Sequence, residues 1–214
     1  VSGGTLDIKV SGDQSKAIKS DGLIALNGGD IHITTSGNAV LEASGSGFDV
    51  SYCTAIKSDT DVEMNGSNVT IASSGIGGKG ISTDGNFTIT AGQLVVTTQG
   101  NGATYKNTSG TADAYNATCI SCDGSANLIG GTITLSSSGT AGKGISTTGG
   151  IVIGSETLLP VLSVTTTGSK ITVSGGTTST GGNRPGGGGP TSGDYSSAKA
   201  LKSDSGNTIN NGKV

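Results

Sequence analysis

Aspartate recurs in this sequence at fixed distances from one short motif. Asp21, Asp59, Asp84, Asp123 and Asp204 each close a five-residue stretch three positions after an aliphatic residue (Ile18, Ile56, Ile81, Ile120 and Leu201). Thr148 takes that place after Ile145. Asp49, Asp113 and Asp194 form a second set, ten residues ahead of Asp59, Asp123 and Asp204. If the motif copies stack, like charges come to lie about 5 Å apart and repel by about 1 kcal/mol in water, and by more where they are partly buried. One neutraliser is a hard cation, best Ca²⁺, which gathers six to eight oxygen ligands. The other is lysine. Lys19, Lys57 and Lys202 lie two residues before a motif Asp, and Lys16, Lys79, Lys143 and Lys199 precede the motif. Residues two apart on a strand share a face, so a Lys–Asp ladder is equally feasible. The threefold recurrence of the ten-residue Asp spacing tilts the expectation toward metal.

These residues need a scaffold that repeats. Between the motif copies, apolar residues line up in columns: Ile24, Val62, Phe87, Ala126, Ile151; Leu26, Met64, Ile89, Leu128, Ile153, Ile209; Ile31, Val69, Leu94, Ile133; Ile33, Ile71, Val96, Leu135. Within each copy apolar and polar residues alternate, which is the strand period. Gly-rich turns at Gly28–Gly29, Gly66, Gly92 and Gly130–Gly131 separate the second and third strands. Three short strands in about 24 residues bury no core alone, but stacked copies do. The expected fold is therefore all-β: a parallel β-helix, a solenoid of about three short strands per coil. A β-sandwich is the alternative, but it does not call for this constant register.

The steps between copies alternate in length. The short steps, 55 to 80 and 119 to 144, are bare coils, while the long ones carry an insertion just before the next motif. A single domain over 1–214 is expected, with excursion loops 39–54, 103–117 and 174–197 on one edge. The third contains Gly181–Pro190, read as a flexible segment. Insertions gathered on one face of a repeat protein commonly mark a binding face, although loop growth there is also simply tolerated.

Composition excludes several classes. There are 40 Gly among 214 residues, no Trp, and a net charge of -3, which argues against a nucleic-acid partner. No apolar run approaches the roughly 20 residues of a membrane span. Cys53, Cys119 and Cys122 read as buried small residues or as one disulfide. The lone His32 sits at an outward strand position, and no serine triad or zinc-type cluster appears.

The repeated Lys-(Gly/Ala)-Ile-(Lys/Ser)-(Ser/Thr)-Asp-Gly resembles the signature of the bacterial extracellular carbohydrate-binding β-helix family whose fold is like pectate lyases. Lys143–Ser146, Ser197–Asp204 and Tyr115–Gly124 carry that likeness. The resemblance implies an extracellular or cell-surface setting and a right-handed helix. It also implies Ca²⁺ held by coil-edge aspartates and binding of plant-type or acidic polysaccharide. It carries the metal role onto Asp49, Asp59, Asp113, Asp123, Asp194 and Asp204, with Asp21 and Asp84 completing the motif column. Tyr52, Tyr115 and Tyr195, with Lys57 and Lys202, are the candidate sugar contacts. A pectate-type lyase would need Ca²⁺ and a Lys or Arg base. The only Arg is Arg184, in the third loop, so a non-catalytic binder is expected. Val1, Leu6 and Ile8 align with Leu26, Ile31 and Ile33, and Val214 aligns with Ile31. Matching phase at the two ends raises a further expectation, head-to-tail assembly into an open filament.

Overall fold

The computed structural model describes residues 1–173 and 194–210. The segment Gly181–Pro190 with Arg184, and Val214, lie outside the described residues. So does most of the third excursion.

Among the described residues the chain is all-β. Two long parallel sheets, of ten and six strands, dominate it. The six-stranded sheet is made of the motif copies in chain order: Lys16–Ser20, Thr54–Ser58, Lys79–Thr83, Thr118–Cys122, Lys143–Thr147 and Lys199–Ser203. The register pairs Ile18, Ile56, Ile81, Ile120, Ile145 and Leu201 in one continuous row. The ten-stranded sheet pairs the other apolar columns in the same way, for example Leu6, Ile31, Val69, Leu94, Ile133 and Leu162. This parallel register between successive repeats is compatible with a parallel β-helix. No helix of the described residues is long and apolar enough to cross a membrane.

The core is a set of aliphatic rows with Phe87 among them, nearly all fully buried from Val62 to Ile153. The motif departs from simple alternation. Ala55 and Ile56 are both buried, as are Gly80 with Ile81 and Cys119 with Ile120. The first of each pair must be small: a Cβ on Gly80 would stand 2.5 Å from Val96 Cγ1, and one on Gly144 2.3 Å from Val164 Cγ1. Two consecutive inward residues leave the flanking Lys79 and Ser82 less buried than the pair between them. The expected Gly-rich turns are bends in two repeats, because Val62–Ser73 and Phe87–Thr98 run on as strands through Gly66 and Gly92. Both glycines have positive φ, which a side chain rarely adopts.

The first two excursions are hairpins rather than irregular loops. Val40–Ser44 and Gly47–Ser51 form an antiparallel hairpin around Gly45–Ser46, and Ala103–Lys106 pairs with Ala112–Tyr115 in a second. Ile171–Thr172 pairs with Tyr195–Ser196 at the base of the third. Ser46 N donates to Thr108 O at 2.8 Å, which joins the tips of the first two hairpins.

The turn that leads into the excursions carries a glycine row. Gly12, Gly37, Gly75, Gly100, Gly139 and Gly168 stack so closely that a Cβ on Gly100 would lie 1.6 Å from the Gly75 carbonyl oxygen. Asn38 Oδ1 accepts from Ile76 N at 2.9 Å, and Asn101 Oδ1 from Thr140 N at 3.0 Å, so side-chain amides satisfy backbone donors beside that row.

Candidate functional site

The outer face of the six-stranded sheet carries three polar rows. The first is Lys16, Thr54, Lys79, Thr118, Lys143, Lys199, and the second Lys19, Lys57, Ser82, Ser121, Ser146, Lys202. The third is the motif row Asp21, Asp59, Asp84, Asp123, Thr148, Asp204, one residue beyond the strand ends.

The second and third rows interlock. Lys19 Nζ pairs with Asp21 and, at 2.9 Å, with Asp59 Oδ2. Lys57 Nζ lies 3.3 Å from Asp59 Oδ1 and also pairs with Asp84. Lys202 pairs with Asp204 at 2.8 Å. The Lys19 bond, and then the Lys57 bond, hold the Asp59 carboxyl below its ordinary range, while Asp21 and Asp59 raise Lys19. A Lys–Asp ladder therefore relieves most of the repulsion in the motif row.

The second aspartate set lies elsewhere. Asp49 sits across from Glu42 in the first hairpin, and Asp113 across from Tyr105 in the second. Each accepts a hydrogen bond from the following backbone N–H, Val50 N at 2.8 Å and Ala114 N at 2.7 Å. The Asp194 carbonyl accepts from Val173 N at 2.8 Å. Among the described residues no three His, Cys, Asp or Glu side chains are gathered as a metal would require. The donors present, salt-bridged or dispersed, do not fit a Ca²⁺ cage.

A different grouping emerges where the hairpins meet the sheet. Tyr115 packs edge-on against Tyr52 and Tyr105, with ring centroids 6.4 and 5.8 Å apart. Tyr115 is buried, so it offers no open stacking face. Lys79 Nζ stands 3.8 Å above the Tyr52 ring and donates to Ser121 Oγ at 3.3 Å. Tyr52 is pushed up by burial and then by Tyr105, Asp113 and Asp49. Tyr195 is exposed and lies under Lys170 Nζ at 3.9 Å; no ring contact joins it to the other tyrosines among the described residues.

Clefts open on both sides of Tyr52. One, of about 160 Å³, is lined by Tyr52, Tyr115, Lys79, Lys143, Ser121 and Ser146. The other, also about 160 Å³, is lined by Tyr52, Lys16, Ser51, Thr54, Lys57 and Ser82. Burial pulls Lys79 down to about 8, with Lys143 and Lys57 adding to the fall and Asp123 and Asp84 opposing it. Burial likewise pulls Lys143 down to about 8; Lys202 and Lys199 add to it, and Asp113 and Asp204 oppose it. The Lys143 ammonium makes no hydrogen bond or ion pair with a described residue, although its backbone N–H donates to Ala117 O at 3.0 Å. Lys79 and Lys143 precede their motifs at the position of Lys16 and Lys199. What singles them out is the hairpin that precedes the strand between them, a relation no spacing rule displays.

The cysteines are free and buried. Burial raises all three thiols, Cys119 to about 11. Cys119 fills the inward position that Gly80 and Gly144 hold in neighbouring repeats. His32 is exposed, as expected from its strand position. Another role that spacing left unassigned belongs to the motif hydroxyls. Ser58 Oγ donates to Gly22 O at 2.8 Å and accepts from Thr60 N at 3.1 Å, and Thr83 and Thr147 donate to Thr60 O and Gly124 O. These hydroxyls tie each turn to the repeat before it. No protein-family model matches the chain, and no curated protein or solved structure is detectably similar to it.

Proposed function

We propose that this chain is an extracellular, non-catalytic polysaccharide-binding protein built as a parallel β-helix, with each repeat forming one coil. The observation that carries the reading is the pair of polar clefts flanking Tyr52 on the outer face of the six-stranded sheet. Ammonium and hydroxyl groups line them in rows that rise by one strand spacing, about 4.8 Å, per repeat. A pyranose unit is of similar length, so a glycan laid along the stack meets a fresh set of donors at each sugar. The extracellular setting follows from the motif resemblance. Recognition here rests on hydrogen bonds and charge rather than ring stacking, since Tyr115 is buried and one face of Tyr52 is taken by Lys79. The test is retention on immobilised polysaccharides, neutral and acidic, with and without chelator. Retention by the native protein that falls in Lys57→Ala and Tyr52→Ala, at unchanged thermal midpoint, supports the reading. Passage through every column overturns it.

One observation favours a second reading, a lyase. An amine drawn down toward neutral pH suits a general base, and Lys79 and Lys143 are both so drawn. In β-elimination the neutral amine takes the proton on the carbon next to a uronate carboxylate, the electron pair forms a C=C bond, and the glycosidic oxygen leaves. Ultraviolet-absorbing unsaturated products from polygalacturonate would establish it.

A further inference from the structure

We propose that the cleft between Lys79 and Lys143 is a direct, metal-free subsite for one oxyanion group of the bound glycan, a carboxylate or a sulfate ester. This rests on the polysaccharide-binding reading and specifies what the site selects.

The two amines lie on alternate strands with Thr118 between them, in one row of the sheet. Both are partly buried beside the second hairpin. Like charges placed so close in a partly dry cleft repel each other, yet no carboxylate reaches ion-pair distance of either among the described residues. The contrast lies within the same sheet: Lys19, Lys57 and Lys202 are all salt-bridged. In the repeats that hold Lys79 and Lys143, serine replaces those lysines, as Ser82, Ser121 and Ser146, so hydroxyl donors line the floor instead. Lys79 is already oriented by the Tyr52 ring and by Ser121 Oγ, while the Lys143 ammonium has three N–H donors and no acceptor among the described residues. A group with two or three negative oxygens supplies what both amines lack: a shared counter-charge and acceptors for their protons and for the hydroxyls. The space is about 160 Å³. It has room for a carboxylate or sulfate substituent.

The test uses the native protein in chelator, so that no divalent cation can bridge. Acetate and sulfate are titrated while the backbone amide shifts of Ser121, Lys143 and Ser146 are followed. In parallel, calorimetry compares oligogalacturonate, a sulfated galacto-oligosaccharide and the neutral galacto-oligosaccharide. Small anions should move the cleft amides, and at least one charged glycan should bind more tightly than the neutral one. Lys143→Met should weaken the charged glycan about tenfold, the worth of one charge-assisted hydrogen bond, and the neutral one by clearly less. Lys143→Arg should retain the preference. The preference should also fade as pH rises through about 8, where both amines lose their protons. Carboxylate-only or sulfate-only binding identifies the source of the oxyanion. Equal binding of charged and neutral glycans, unaffected by Lys143→Met, overturns the subsite and leaves the binding reading intact. If no glycan binds, the binding reading falls, and the small-anion titration alone decides the subsite: unmoved cleft amides overturn it.

Discussion

Lys19 Nζ lies 2.9 Å from Asp59 Oδ2 although forty residues separate them in the chain. The contact exists because the parallel register sets Lys19 beside Lys57, so that a lysine of one repeat reaches the aspartate of the next. The same step recurs from Lys57 to Asp84. Stacking itself thus brings a counter-charge to the motif row. Both Asp59 and Lys19 are solvent-accessible, so the ladder is screened by salt. Asp59→Asn should lower the thermal midpoint slightly in dilute buffer and not at high salt. Neither version should respond to Ca²⁺ or chelator. A Ca²⁺-dependent rise in midpoint that Asp59→Asn abolishes would restore a metal to this row.

Acid should act on the same contact. The Asp59 carboxyl is lowered in the folded protein, so its contribution is complete above the ordinary carboxylate range and is lost as pH falls through the lower folded value. Denaturant midpoints of wild type and Asp59→Asn should converge on acidification. A constant gap down to the acid transition would contradict this.

The two cleft lysines act in alkali with the opposite sign. Their folded values near 8 lie below the ordinary lysine value of 10.5. Between these values the unfolded chain binds more protons, so this contribution to stability rises with pH. The buried thiols of Cys53, Cys119 and Cys122, raised by burial, oppose it in the same range. The difference between Lys143→Met and wild type isolates the lysine. The variant should be the more stable at neutral pH, and its advantage should shrink from about pH 8 upward. An advantage independent of pH would refute the assignment.

The glycine row leaves no room for a methyl group. Gly100→Ala forces a carbonyl and a Cβ apart and should cost about 2 kcal/mol or more by urea denaturation. Gly22→Ala has nothing within 4 Å of the new Cβ and should be near neutral. Similar losses for the two would show that the row yields.

Core rows carry the usual penalty for truncation. Ile89 is fully buried between Met64 and Leu128 of the adjoining repeats. Ile89→Ala should cost about 3 kcal/mol, measured by the shift in denaturant midpoint at constant slope. A loss below about 1 kcal/mol would mean that the neighbouring rows collapse into the gap.

The aliphatic rows were legible in the sequence because every repeat spends the same positions on Ile, Leu or Val, and burial admits few other residues there. The Lys–Asp ladder was legible as one of two options, since spacing reports which charges align but not which partner fills the gap. The hairpins were not read as strands. Their residues are mostly exposed and lack alternation, although Gly45–Ser46 is a two-residue hairpin turn in retrospect. The glycine row is hidden in the sequence for a geometric reason. Counted back from the motif, Gly37 and Gly100 fall out of line because a hairpin intervenes. Counted forward from Ile33 and Val96, each glycine stands four residues on. The cleft between Lys79 and Lys143 depends on a hairpin folding over the sheet, which lies outside any one-dimensional pattern.

The first two hairpins leave the stack at strands two positions apart in the six-stranded sheet, a separation of about 9.6 Å. The glycine row tolerates nothing extra, whereas the chain just after it, ahead of the motif strand, already accommodates a hairpin in two repeats. The scaffold therefore acts as a ruler whose divisions are fixed by the glycines and whose marks are written in the hairpins beside them. Peptides grafted between Ser44 and Gly47, and between Lys106 and Ala112, would be displayed side by side at a pitch set by backbone hydrogen bonding, whatever their own sequence.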